Sequence, residues 1–397
     1  MNILLVSSYL PFPLTNGGSV RLFNIIKQLS KNHTITLVCE IRTHQTEDDV
    51  LFVKKYCKEV ITVKRKKQWS LQTIIKTGIS KESFLVTGHT HKAMKEKISN
   101  LLSSESFDLI HVETFYVMQN IPKTSLPIVL VEHNIEFLVY KRYAKTMPFW
   151  ARPLLLLDVQ KLKKTEMNSW KKATKLVAVS EQEKKLMGIP GVVVVPNGVD
   201  IAEFNFSESK KNGSTKHVLF IGNFKWLQNK DSAKFIISSI WPKVKKIENE
   251  NKSKLQYILW IVGKHIPPSL KNISNDSSIV FDENASSNTA EIFKKSLVLL
   301  APIRVGGGTS FKILEAMASG VAVLTTPLGV EGIGARDNEE VVLANTGEEF
   351  SEKLIKLASD EKMRNELIKN ARRLIEEKYD WGKIVKILEG VYKSAIS

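Results

Sequence analysis

The sequence predicts an α/β protein built from two doubly wound, parallel-sheet domains. Three observations carry that expectation. Short apolar runs alternate with helix-period segments along the chain, which is the rhythm of β-α-β units. The rhythm runs twice, with about six strands in each half and a break between them. The chain is also long enough, at 397 residues, to give each half its own core.

In the first half the apolar runs fall at 3–8, 34–39, 60–63, 109–112, 128–132 and 176–180. In the second they fall at 218–222, 257–263, 279–281, 297–302, 321–325 and 341–343. They are too short for helices and read as strands buried on both faces. The break is VPNGVD at 195–200, followed by the polar stretch 207–216, where Pro and Asn-Gly interrupt any regular element. After Tyr379-Asp380-Trp381 a last helix carries Ile384, Ile387, Leu388 and Val391 at helical spacing.

Composition narrows the classes. Two cysteines, Cys39 and Cys57, give neither a disulfide framework nor metal-ligand spacing, so a reducing compartment is expected. The start MNILLVSSYLPFP lacks a basic leader and reads as a first strand, not a signal peptide. No run approaches the roughly 18–20 apolar residues of a membrane span, and a cytoplasmic protein is expected. The net charge of +17 suits nucleic acid, an anionic membrane or anionic small ligands, or is plain solubilising surface. Nucleic acid ranks last, because no module signature for it is visible. Residues 140–172 mix Lys and Arg with Phe149, Trp150 and the leucines 154–157. This segment either buries its leucine face in the N-terminal domain or, exposed, suits peripheral contact with an anionic membrane at the inner face of the cell membrane.

The chemistry concentrates at 297–333, which reads as strand, glycine loop, helix, strand and glycine turn. Gly306, Gly307 and Gly308 let a ligand approach the backbone closely. Thr309 or Ser310 can cap the next helix, and Gly320 closes it. A helix start of this kind is an anion site. Lys312 opposes the dipole there and is better explained by a bound phosphate than by helix stability. Glu315, one turn on, can accept hydrogen bonds from ligand hydroxyls. No Walker loop and no complete G-x-G-x-x-G is present, so an ordinary β-loop-α unit is the alternative. A second glycine turn, Gly17-Gly18-Ser19, opens the first helix and is either a second phosphate or sugar contact or a surface loop. His111 with Glu113, and His133 beside Glu132, end two strands and suggest a polar wall. Their spacing matches no standard metal site.

GGGTSFKILEAMASGVAVLTTPLGVEGI resembles the donor-binding signature of family 4 of the retaining glycosyltransferases, the glycosyl transferases group 1, of GT-B fold. The resemblance implies two Rossmann-like domains facing across a cleft. Residues 1–196 would form the acceptor-side domain and 197–378 the nucleotide-sugar domain, with 379–397 a helix crossing back. Glu315 would bind the ribose and the loop before it the diphosphate. The loop at Gly17 and Gly18, with Arg21 behind it, would close over donor and acceptor. The family often carries an Arg just after the glycine of FIGN and a Lys five residues later, where this chain has Asn223 and Gln228. Lys225, Lys230 or Arg304 would then supply the charge near Gly222, or the backbone loop would do more of the binding. The first Glu of the family's E-x7-E pair is Gly307 here. Gly263 and the turn at Phe281-Asp282-Glu283 would seat the nucleobase, and Ser180 would lie beside the cleft.

The implied activity is that of a hexosyltransferase-type enzyme. It moves a sugar from a nucleotide-sugar to a carbohydrate or lipid-linked acceptor with retention, in envelope polysaccharide or glycolipid synthesis. No metal or other cofactor is expected. Catalytic candidates are His111, Glu113, His133 and Lys312. Donor contacts are Gly17, Gly18, Gly222, Asn223, Lys225, Arg304, 306–310 and Glu315. The alternatives are a nucleotide-sugar epimerase of the same fold and a nucleotide-binding relative that has lost transfer.

Overall fold

The structure, a computed structural model, describes residues 1–66, 80, 82–206, 215–250, 256–286, 288–305 and 308–397. Among these the chain divides into two units, Met1–Pro196 with Ile384–Ser397, and Asn197–Lys383.

The first unit holds a seven-stranded sheet: β1 (Asn2–Ser7), β2 (Thr34–Ile41), β3 (Glu59–Lys64), β4 (Leu109–Glu113), β5 (Ile128–Glu132), β6 (Lys175–Ala178) and β7 (Val193–Val194). All pairings are parallel, in the order β3-β2-β1-β4-β5-β6-β7. The two-residue β7 was not among the expected strands, although it lies in the valine run 192–195 just before the break at 195–200. The helices that matter below are α1 (Gly17–Leu29), α2 (Glu136–Thr146), α3 (Arg152–Lys172) and α4 (Glu181–Met187). Ser180 does not end a strand; it is the N-cap of α4, its hydroxyl accepting the Glu183 N–H at 3.2 Å.

The second unit holds six parallel strands: β8 (Thr215–Ile221), β9 (Gln256–Val262), β10 (Ile279–Asp282), β11 (Val298–Ala301), β12 (Ala322–Thr325) and β13 (Val342–Leu343). Their order is β10-β9-β8-β11-β12-β13. Its key helices are α5 (Leu227–Phe235), α6 (Phe311–Ala318) and α7 (Trp381–Ile396), the last continuing into the first unit at Ile384. The runs read as buried are buried on both faces: Val218 and Phe220 pack into one core and Leu219 into another, with the same split for Leu300 and Leu299. In α7 the buried stripe is Ile384, Leu388, Val391 and Tyr392, while Ile387 is exposed.

Both sheets reverse direction after their first strand, between β1 and β4 and between β8 and β11. In an open parallel sheet, connections on either side of that reversal run to opposite faces and leave a crevice at the strand carboxyl ends. The loops that end β1, β4, β8 and β11 therefore define the two places to look for chemistry.

The β8 and β9 exits meet so closely that only glycine fits. At Gly263, with φ +150°, a Cβ would lie 1.8 Å from the Gly222 carbonyl oxygen. Gly263→Ala is expected to lower stability by about 3 kcal/mol, as overpacking against rigid backbone does. Gly188→Ala, at φ +64° with nothing within 4 Å, should cost only about 1–2 kcal/mol. Denaturant unfolding of the two variants checks the contrast, and equal losses would contradict it.

Candidate functional site

In the second unit the site grows from the β8 exit. Phe220-Ile221-Gly222 leads into Asn223, whose side chain accepts the Lys225 N–H at 3.0 Å and tightens the turn. Gly222 presses on the Asn229 amide of α5, where a Cβ would come within 2.7 Å of Asn229 Cγ. Asn229 thereby spans two elements. Its Nδ2 donates to the Asn223 carbonyl at 2.8 Å, and its Oδ1 accepts Lys312 Nζ at 2.7 Å.

Lys312 arrives from the neighbouring strand exit. Beyond β11 the chain is braced by Thr325 and Thr326, whose hydroxyls donate to the Ala301 and Ile303 carbonyls, and by Ser232 donating to Pro302. Gly306 and Gly307 lie outside the described residues. Gly308 follows with φ +82°, and α6 begins at Phe311. Neither expected cap forms through its side chain. Ser310 occupies the N-cap position without a side-chain bond, and Thr309 Oγ1 donates instead to the Gly332 carbonyl at 3.3 Å. Gly332 permits this approach, since a Cβ there would meet Thr309 N at 2.9 Å. The far end closes as read, with Gly320 at φ +72° and Val321 N–H reaching the Ala316 carbonyl at 2.9 Å.

The charge balance at α6 is lopsided. Burial pulls the half-buried Lys312 down to about 8, with Glu315 opposing. Burial, then Glu203, pushes Glu315 up to about 8, with Lys312 opposing. At neutral pH the ammonium thus stays mostly charged while the carboxyl stays mostly protonated, at a helix start whose dipole is itself positive. The ammonium is steadied by the Asn229 oxygen and by the Phe220 ring, 4.8 Å from its centroid. An anion in front of α6 would be met by uncompensated positive charge.

The other expected cations stand differently. Lys225 is exposed. Arg304 is held in a fork by Asp231, at 2.8 and 3.1 Å, and lies over the Phe235 ring at 4.1 Å, so its charge is already matched. Glu283 shapes its own turn, accepting the Ile266 N–H and Lys271 Nζ, while Gly263 N–H donates to the Asp282 carbonyl.

In the first unit the β4 exit supplies Glu113, fully buried. His133 Nε2 lies 2.7 Å from Glu113 Oε2, Arg21 Nε 4.0 Å from Oε1, and His111 Nε2 3.5 Å from Oε1. Burial alone would raise this carboxyl, but His133 and His111 outweigh it and hold it well below the usual carboxylate range. His111 is fully buried and its Nδ1 is in a 2.5 Å hydrogen bond with Tyr392 Oη, so it braces the cluster from inside. His133 retains 17% side-chain exposure and is the member that can meet a ligand. Arg21 is not a loop cation either. It is buried and donates to the Val195 and Pro196 carbonyls at 2.9 and 2.8 Å. At the start of α1, Asn16 takes the Ser19 N–H in a capping box, Gly17 is exposed, and Tyr9 Oη donates to the Gly18 carbonyl at 3.2 Å. Burial also pushes Glu183 of α4 up to about 7, with Ser180, His133 and Arg21 pulling it down.

Sequence reasoning missed Asn229, Tyr392 and Glu183. Asn229 shares a helical face with buried Ser232 and Ala233, a spacing visible in the sequence. Tyr392 follows Val391 on the buried stripe of α7, but nothing local ties it to His111, 281 residues away. Among the described residues no three His, Cys, Asp or Glu are grouped to hold a metal ion, and no helix is long and apolar enough to cross a membrane.

Two family models match the chain, Glycosyltransferase Family 4 over residues 15–203 and Glycosyl transferases group 1 over 215–360. An uncharacterised 44.6 kDa protein in the cps region of Klebsiella pneumoniae is 22% identical over 96% of this chain and 97% of its own length. Sucrose-phosphate synthase from Thermosynechococcus elongatus superposes with a TM-score of 0.71 at 13% identity, covering 99% of both chains. Anabaena HepE, solved with UDP and glucose, gives 0.64 at 12% identity over 99% of this chain and all of that one. With two Rossmann-like parallel-sheet domains and both family models matched, the chain belongs to glycosyltransferase family 4, the group 1 glycosyl transferases, and has the GT-B fold.

Proposed function

We propose that this transferase moves a hexose from a nucleoside diphosphate-sugar to a carbohydrate or lipid-linked acceptor with retention of configuration, in the building of an envelope polysaccharide or glycolipid. The observation that carries the reading is the unbalanced positive charge at the start of α6, where Lys312 is steadied by Asn229 one turn before Glu315. The HepE structure with UDP and glucose supports a nucleotide donor, and the cps-region relative supports an envelope product. The reaction is placed in the cytoplasm, at the inner face of the membrane.

Glu315 accepts the ribose hydroxyls. Lys312 and the α6 amide groups face the diphosphate, with Gly222, Asn223, Gly308, Thr309 and Ser310 close to it. As the bond from the sugar C1 to the diphosphate oxygen breaks, negative charge collects on that oxygen, and fixed donors and a cation there lower the barrier. The acceptor hydroxyl oxygen bonds to C1 from the same face and passes its proton to the departing diphosphate. His133, oriented by Glu113 and backed by His111, hydrogen-bonds the reacting sugars. The cations of this chain meet the diphosphate charge, with no metal or other cofactor assigned. Asn223 and Gln228 lack the usual basic pair, and Lys312 from α6 takes over its role.

A thermal-shift screen against UDP, GDP, ADP and their sugar conjugates tests the donor class. A nucleotide at one hundred times its Kd should raise stability by about 2.7 kcal/mol, whereas silence across the panel would favour a relative that has lost the donor. In calorimetric titrations Lys312→Ala should weaken nucleoside diphosphate binding about 10–100-fold with little effect on the nucleoside, as loss of one charge-assisted bond does. Glu315→Ala should weaken nucleoside and nucleotide alike. His133→Ala should slow transfer about 10–100-fold and leave nucleotide affinity unchanged. Affinity for the diphosphate should fall as pH rises through about 8, because Lys312 loses its proton while Glu315 gains charge. Both changes disfavour an anion, so the Lys312→Arg, Glu315→Gln double variant should bind with a flat profile over that range.

A further inference from the structure

In the segment 140–172 Leu154, Leu156 and Leu157 stay exposed, while Leu162 is buried. α2 and α3 form a helical hairpin whose base is fixed in the first unit and whose tip is apolar and open. At the base, Glu166 of α3 accepts the Glu136 and Phe137 N–H groups, both at 2.9 Å, and so caps α2. Trp170 Nε1 donates to the buried Glu132 at 2.9 Å, and Val159, Leu162 and Trp170 are buried. Asp158 accepts the Phe84 N–H at 3.0 Å. The turn is equally defined. Ala151 and Arg152 N–H groups donate to the Pro148 carbonyl, and Arg152 Nε donates to the Met147 carbonyl at 2.7 Å.

Beyond that anchored base the exposure pattern inverts. Phe149 is 81% exposed, Trp150 73%, Leu154 76% and Leu157 63%, with Val139 and Tyr143 open on α2. Large apolar side chains clustered this way are unusual on a soluble surface and mark a contact. Packing inside the unit does not explain them, since the hairpin's buried side is already satisfied by Val159, Leu162 and Trp170. The charges around the tip choose the partner. Between Phe137 and Leu157 the chain carries Lys141, Arg142, Lys145 and Arg152 and no carboxylate. All four cations are exposed.

We propose that the α2–α3 tip docks this protein on an anionic lipid bilayer. Phe149, Trp150, Leu154 and Leu157 enter the headgroup region, and Lys141, Arg142, Lys145 and Arg152 meet lipid phosphates. Two weak terms act together, apolar insertion and attraction to an anionic surface, which is what reversible surface binding requires. Trp150 suits the interface because its ring is apolar and its N–H can stay hydrated. The tip rests on the surface instead of spanning it, as no helix among the described residues is long and apolar enough to cross. This inference stands on the exposed tip alone and does not depend on the transfer reaction.

The test is flotation of the full chain with phosphatidylcholine vesicles and with vesicles that also contain phosphatidylglycerol. The protein should float with the anionic vesicles at low salt, come off as salt is raised, and ignore phosphatidylcholine alone. The Phe149→Ser, Trp150→Ser double variant should lose binding roughly tenfold or more, with an unchanged thermal melt and unchanged nucleotide-induced shift. Lys141→Glu with Arg142→Glu should lose it as well. The proposal is overturned if the wild-type chain stays with the soluble fraction at low salt, or if the serine variant floats equally well. It is also overturned if the chain sediments as a dimer that the serine variant dissolves while neither binds vesicles, which would make the tip an interface between copies. Because the nucleotide-induced shift is read on the same samples, failure here is distinguishable from failure of the donor site.

Discussion

The constraint on which the rest depends is the reversal of strand order in each sheet. β1 is flanked by β2 and β4, and β8 by β9 and β11, so connections leaving the central pair diverge to opposite faces. That divergence leaves strand-end backbone without a covering helix. In the first unit it exposes the exits of β1 and β4, which carry Tyr9 and Glu113. In the second it exposes the exits of β8 and β11, which carry Gly222 and the loop into α6. The polar groups of the two candidate sites gather around these exits: Glu113 with His133 and His111 in the first unit, and Asn223 with Asn229 and Lys312 in the second.

The two sites solve the cost of buried charge in opposite ways. Around Glu113 a single carboxylate is oversupplied with partners, with His133, His111 and Arg21 within 4.0 Å. It therefore stays ionised, and an imidazole bonded to it is held in one orientation, the arrangement expected of a positioning group. Around Lys312 the supply runs the other way. The ammonium has an amide oxygen and a ring face, and Glu315, the carboxyl that acts on it, is pushed up to about 8. A site short of negative charge at a helix N-terminus is adapted to a ligand that brings it. Asn229 makes the second site possible, since it fixes the ammonium and the β8 turn with one side chain, and Gly222 is the residue that gives it room.

The helical hairpin separates anchoring from exposure along its length. Buried carboxylates do the anchoring: Glu166 caps α2 and Glu132 receives Trp170. Their own charge is disfavoured by burial, and Glu166 is pushed up to about 8. Hydrogen bonds from backbone and indole N–H groups offset that cost and fix the hairpin's direction. The tip then presents Phe149 and Trp150 on a defined turn.

The sequence by itself determined what depends on neighbours along the chain. Strand positions were legible because a strand buried on both faces needs a short unbroken apolar run, and 128–132 matches β5 residue for residue. Lys312, Glu315 and the closing Gly320 were legible because they lie in one β-loop-α unit, where spacing alone sets position on the helix. The two-residue β7 was also signalled, by the four valines 192–195 between Gly191 and Pro196, but that run abuts the interdomain break and is not among the expected strands. Tertiary structure decided everything that joins distant segments. It gave Arg304 to Asp231 and Arg21 to the 195–196 carbonyls, tied His111 to Tyr392, and left Leu154, Leu156 and Leu157 of α3 in the open. A cation's sequence neighbours do not say whether it meets a ligand, a carboxylate or a carbonyl. That is set by which strand ends the sheet order brings side by side, and by how much solvent the packing leaves around each charge.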